Sequence, residues 1–144
     1  KLPGDGLEFP WHQDSTHRRF GSPLWSDING RGSFVQTLTA LDDMTRENGT
    51  LELIAGSHRL GHLGWLETQP LPDHLAASAV PAIMAAGSVL LFGPYTIHSS
   101  RPNRSAGSRR AFINGYAHPG ANRRVYPGRG AGRLLHSSGG PPPS

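Results

Sequence analysis

No stretch of this chain sustains a helical period before a turn signal interrupts it. The sequence holds 19 glycines and 13 prolines in 144 residues, and they cut it into short segments rich in β-branched and aromatic side chains. Residues 33–41, Ser-Phe-Val-Gln-Thr-Leu-Thr-Ala-Leu, are the clearest: β-formers in partial alternation, read as a central strand. A turn follows over 45–49, where Asn48-Gly49 suits backbone positions of positive φ, and residues 50–54 return as the paired strand. Residues 80–84 and 87–92 read as the next pair, bent at Ala85-Ala86-Gly87. Pro94-Tyr95 leads into a strand bearing His98, residues 109–116 form another, and residues 7–12 form the first. About six strands, with few short helices such as one near 73–78, imply an all-β sandwich or barrel. The stretch 15–32 is a long loop, with Ile28-Asn29-Gly30 as a turn signal. In it Phe20 and Trp25 admit two readings, as the lining of an entrance or as anchors tucked into the core.

Length and charge narrow the function classes. A chain of 144 residues is one domain's worth of core. No apolar run approaches the roughly 20 residues of a membrane helix, and no charged-then-apolar leader is visible, so no membrane partner is expected. Cysteine is absent, which excludes disulfides and thiolate ligands and fits a reducing, cytoplasmic setting. The formal charge of +4 raises nucleic-acid binding, yet the arginines are scattered with no basic helix, and no nucleic-acid partner is expected. Such a field also steers small anions. Residues 119–144, ending Gly-Gly-Pro-Pro-Pro-Ser, cannot bury enough apolar surface to order themselves, which leaves 1–118 as the core and the remainder as a disordered tail.

The chemistry concentrates in His12-Gln13-Asp14. On a strand, residues two apart face the same way, so His12 and Asp14 can grip one ion. His98, following the apolar run Val89-Leu90-Leu91-Phe92, is the best third ligand. Two histidines and one carboxylate leave coordination positions open, the donor set of non-haem Fe(II) sites. A lone histidine beside a strand is more often simply hydrogen-bonded; the joint pattern outweighs that. His58 and His62 could share a helix face, but Gly61 weakens such a helix and no third ligand stands nearby, so a second metal site is not expected. His74 reads as a surface histidine. Asn48-Gly49-Thr50 has the form of a glycosylation acceptor, though the turn explains it without one.

The order His12-x-Asp14, Leu41-Asp42-Asp43, Glu47-Asn48-Gly49-Thr50-Leu51, Ala55-Gly56-Ser57-His58-Arg59, Gly87-Ser88-Val89-Leu90-Leu91-Phe92, then His98-Ser99-Ser100 and Arg109-Arg110 resembles the phytanoyl-CoA dioxygenase family. The family usually has Pro where Ala55 stands, a change that costs loop stiffness and little chemistry. The resemblance implies a double-stranded β-helix, the jelly roll of cupin-like dioxygenases, N-terminally incomplete because family members usually carry more chain before the clamp. It implies Fe(II) held by His12, Asp14 and His98. It also implies 2-oxoglutarate gripped at its far carboxylate by an arginine, a bidentate task suited to guanidinium. Arg109 is the candidate and Arg110 the alternative, since alternation points only one inward. Ser100 matches a cosubstrate-binding position, and Gln36 or Leu38 would flank it. The implied activity is hydroxylation of a small molecule with O2, coupled to decarboxylation of 2-oxoglutarate to succinate. Related halogenases replace the carboxylate with a small residue, so Asp14 favours hydroxylation. Nothing resembles a coenzyme A cradle; a small metabolite or natural-product intermediate is the expected substrate class. The rival reading is a truncated or inactive jelly roll that binds metal or ligand without turnover.

Overall fold

The computed structural model describes residues 1–117 apart from Arg18, Arg19, Leu24, Ser26 and Ile28, with no account of the His17 side chain. The expected tail over 119–144 lies outside the described residues. Among them are seven strands: β1 (Phe9–His12), β2 (Phe34–Ala40), β3 (Leu51–Ile54), β4 (Ala79–Pro81), β5 (Val89–Phe92), β6 (His98–Ser100) and β7 (Ala111–Ala117). Two four-residue α-helical turns, α1 (Asp14–His17) and α2 (Asp73–Ala76), accompany them. The strands form two antiparallel sheets, ordered β1-β6-β3-β4 and β5-β2-β7. This is a jelly roll.

The pairing corrects the sequence expectation. β3 does not pair with β2, and β4 does not pair with β5. Instead β3 lies between β6 and β4, while β2 lies between β5 and β7. The turns at 45–49 and 85–87 therefore carry the chain from one sheet to the other, and a single bridge between Met44 and Met84 holds the two crossings together. The physical reason is burial: β2 alternates Phe34, Gln36, Leu38 and Ala40 inward against Val35, Thr37 and Thr39 outward, and one inward face needs a second sheet over it. Leu38, Ala40, Met44, Leu51 and Phe92 supply that shared core. A second cluster of Ile54, Leu66, Leu71 and Ile97, with Trp11 against it, packs the excursion between β3 and β4 onto the first sheet.

The first strand begins at Phe9, two residues later than expected, and ends at His12 as expected; Asp14 opens α1 rather than sharing a strand face with His12. At the other turn Gly49 takes φ +70°. Asn48 is buried there, its side chain accepting from the Thr45 N–H and donating to the Asp43 carbonyl, so the amide is committed to the turn.

Candidate metal centre

Sheet register explains how the two histidines meet. β1 and β6 are antiparallel neighbours, and His12 stands opposite His98, with their ring centroids 4.2 Å apart. Directly opposed residues are the closest side-chain neighbours a sheet offers. Asp14 comes to the same point from the first residue of α1. Its Oδ1 lies 3.7 Å from His12 Nε2 and its Oδ2 lies 3.8 Å from His98 Nε2. One ligand atom from each of the three residues falls within 4.8 Å of the others, and it is the one such group of metal-binding side chains found among the described residues.

The tautomers are set by the backbone. His12 Nδ1 donates to the Pro10 carbonyl at 2.7 Å, and His98 Nδ1 donates to the Thr96 carbonyl at 2.8 Å. A carbonyl can only accept, so in each neutral ring Nε2 carries the lone pair, and both Nε2 atoms are turned toward Asp14. Two imidazole nitrogens and one carboxylate in this arrangement suit a divalent transition metal, and three protein donors leave further coordination positions for ligands.

The group opens into a cavity of about 480 Å³ between the sheets, bounded by Phe9, Leu38, Leu51, Phe92 and Ile113 besides its polar residues. Across it stands Arg109. Its residue is 6% exposed, its Nη2 reaches Ser100 Oγ at a long 3.4 Å, and its Nε has no hydrogen-bond partner among the described residues. Burial pushes its pKa down. Asp5 acts on it only through space; a buried guanidinium with no carboxylate in contact among the described residues is a costly arrangement, and an anionic ligand would relieve it. Arg110 points the other way and grips Asp42 on the surface through two bonds of 2.9 and 2.6 Å.

Ser100 is buried and donates to the Gly49 carbonyl at 3.1 Å. Gln36 and Leu38 both line the cavity from β2. Gln36 Nε2 donates to Asp14 Oδ2, so what the structure shows for this residue is a contact with the carboxylate of the metal-binding group. Phe20 and Trp25 do not line the cavity: they pack with Tyr95, Phe34 and His62, and Tyr95 donates to Asp27 beside them. Phe20 is 44% exposed and Trp25 half-buried, so Phe20 is not tucked into the core. His62 stacks on Phe20 and meets Ser15 Oγ at 2.9 Å, while His58 sits in a 3-10 turn that Gly61 ends. His74 is exposed.

Sequence reasoning missed Gln13. It is fully buried between two of the grouped residues, donating to the Gly61 and Tyr95 carbonyls at 2.9 and 2.7 Å and accepting from the Leu63 N–H at 2.7 Å. It ties two separate segments, residues 61–63 and the one holding Tyr95, to the turn joining His12 to Asp14. The available signal was an amide two residues after Trp11, on the face opposite the histidine.

Fold and donor set together define a class: a jelly roll with two histidines and a carboxylate gathered at an inter-sheet cavity. The model of the phytanoyl-CoA dioxygenase family matches residues 1–111, and the chain belongs to that family. It is 29% identical to L-proline trans-4-hydroxylase of Streptomyces griseoviridis, across 81% of this chain and 50% of that protein. It is 32% identical to a phytanoyl-CoA dioxygenase of Arabidopsis thaliana, across 78% of this chain and 39% of that protein. Among solved structures, EvdO2 of Micromonospora carbonacea var. aurantiaca in complex with 2-oxoglutarate superposes with a TM-score of 0.62 at 26% identity, covering 82% of this chain and 50% of that one. The chain thus spans half or less of the length of these relatives.

Proposed function

We propose that this protein is an Fe(II)- and 2-oxoglutarate-dependent dioxygenase that hydroxylates a small molecule, with His12, Asp14 and His98 as the iron ligands. Family membership and the relatives' names support the activity class. The observation that carries it on this chain is the pairing, in one cavity, of the His-Asp-His group with the buried Arg109, whose guanidinium contacts no carboxylate among the described residues. The fit to iron rests on the donor set, and the fit to the cosubstrate rests on the orphaned guanidinium nitrogen. When bound, the iron couples O2-driven decarboxylation of 2-oxoglutarate to succinate with hydroxylation of a C–H bond.

The chain's own part is positioning. The Pro10 and Thr96 carbonyls hold the two imidazoles in the tautomer a metal requires. Arg109, steadied by Ser100, binds the far carboxylate of 2-oxoglutarate with the two-pronged geometry of guanidinium. Leu38 and Phe92, both buried, make the inner wall apolar, which strengthens the polar contacts beside them. The same proposal takes residues 1–118 as the functional core and 119–144 as a low-complexity extension. It takes a small molecule and O2 as partners, with no nucleic acid, in a cytoplasmic setting. No helix among the described residues is long and apolar enough to cross a membrane.

Anaerobic titration with Fe(II) and 2-oxoglutarate should produce the visible charge-transfer band of the chelate. Admitting O2 should then release succinate even without substrate, and Asp14→Ala should abolish both signals. A wild-type chain that binds metal but forms no succinate above background would stand as a binder without turnover, and full coupled hydroxylation by Asp14→Ala would refute the ligand assignment.

A further inference from the structure

Gln36 sits at the middle of β2, its backbone opposite Phe92 on one side and Gly115 on the other. At 6% exposure its polar head has left water, so it needs a partner. That partner is not on its own sheet. The amide reaches across the cavity and donates to Asp14 Oδ2, the oxygen that faces His98, whereas Oδ1 faces His12. A carboxylate has two oxygens and can give a metal one or both. An N–H seated on one oxygen takes up a lone pair there and fixes the rotation of the group. We infer that Gln36 is a positioning residue that holds Asp14 as a one-oxygen ligand, with Oδ1 toward the metal, and so preserves the coordination positions that the cosubstrate and O2 require.

The inference rests on the iron reading above and makes a distinct claim. If Gln36 served the cosubstrate instead, its amide would be needed by 2-oxoglutarate and would leave the bare metal centre unaffected. If it served only the fold, its loss would lower stability alone. Gln36→Met removes the N–H at nearly constant length and volume. Gln36→Leu likewise offers no N–H and adds no metal-binding atom, so it serves as the second variant should the first fold poorly.

The test is anaerobic titration of wild type and both variants with Co(II) alone, read by the visible ligand-field bands, whose position and intensity report coordination number. The expected result is a wild-type spectrum that weakens and shifts in both variants, with Co(II) affinity reduced about ten- to a hundredfold and thermal stability little changed. Unaltered Co(II) spectra accompanied by weaker 2-oxoglutarate binding would overturn the inference in favour of a cosubstrate role. Unaltered spectra with a lower melting temperature, or failure of both variants to fold, would overturn it in favour of a structural one. A wild-type protein that binds no Co(II) would instead sink the metal assignment itself, and this inference with it.

Discussion

Arg109→Met should make the ligand-free protein more stable and the cosubstrate-binding protein nearly useless. The guanidinium is buried, forms no ion pair among the described residues, and has one long hydrogen bond to Ser100. Removing a charge from such a place relieves a desolvation penalty; replacing whole buried ion pairs by apolar residues of similar volume is neutral to stabilising by about 1 to 4 kcal/mol, which sets the scale of the gain expected here. Binding moves oppositely. Two charge-assisted hydrogen bonds to one carboxylate contribute about 3 to 4 kcal/mol together, equal to two to three orders of magnitude in Kd. Urea denaturation of the apoprotein measures the first quantity, and 2-oxoglutarate titration of the metal-loaded protein measures the second. Arg109→Lys keeps the charge without the fork, so its affinity should fall between the other two. A Met variant that loses stability while its Kd moves less than about fivefold, under 1 kcal/mol, would refute the picture of a cation held for an absent anion.

Two further outcomes follow from the same geometry. Gln13→Leu strands the Gly61 and Tyr95 carbonyls and the Leu63 N–H; with about 1 kcal/mol or more for each unsatisfied group, a loss of about 3 to 4 kcal/mol should appear in urea denaturation, and a loss under about 1 would show the clamp to be dispensable. Asp42 is held near a pKa of about 2, against an ordinary 3.8, chiefly by its hydrogen bonds from Arg110. A depressed carboxylate stabilises the fold above its unfolded value and loses that contribution as pH falls toward the folded one. Arg110→Gln should therefore lower stability at neutral pH, with its difference from wild type shrinking between about pH 4 and pH 2; a difference that grows on acidification would contradict the assignment.

Much of the fold could be read from residue order because strand formation is a local matter. The alternation of Phe34-Val35-Gln36-Thr37-Leu38 and the Asn48-Gly49 turn are set by pleat geometry and by φ, which neighbouring residues determine. Pairing was not legible. Short connections at 45–49 and 85–87 suggested hairpins, yet both cross between sheets, because burying the inward face of β2 depends on strands remote in sequence.

The same division holds at the centre. His12, Asp14 and His98 were identifiable as donors from residue type and order, since imidazole and carboxylate chemistry belongs to the side chains themselves. Their convergence, by contrast, depends on the β1–β6 register and on a helical turn at Asp14 that replaces the expected strand. Alternation alone could say that one of Arg109 and Arg110 faces inward; which one was decided by Asp42 on the surface and Ser100 inside. The partners of Gln13 and Gln36 were decided only in three dimensions, because an amide has no preference for a partner until folding brings one within reach.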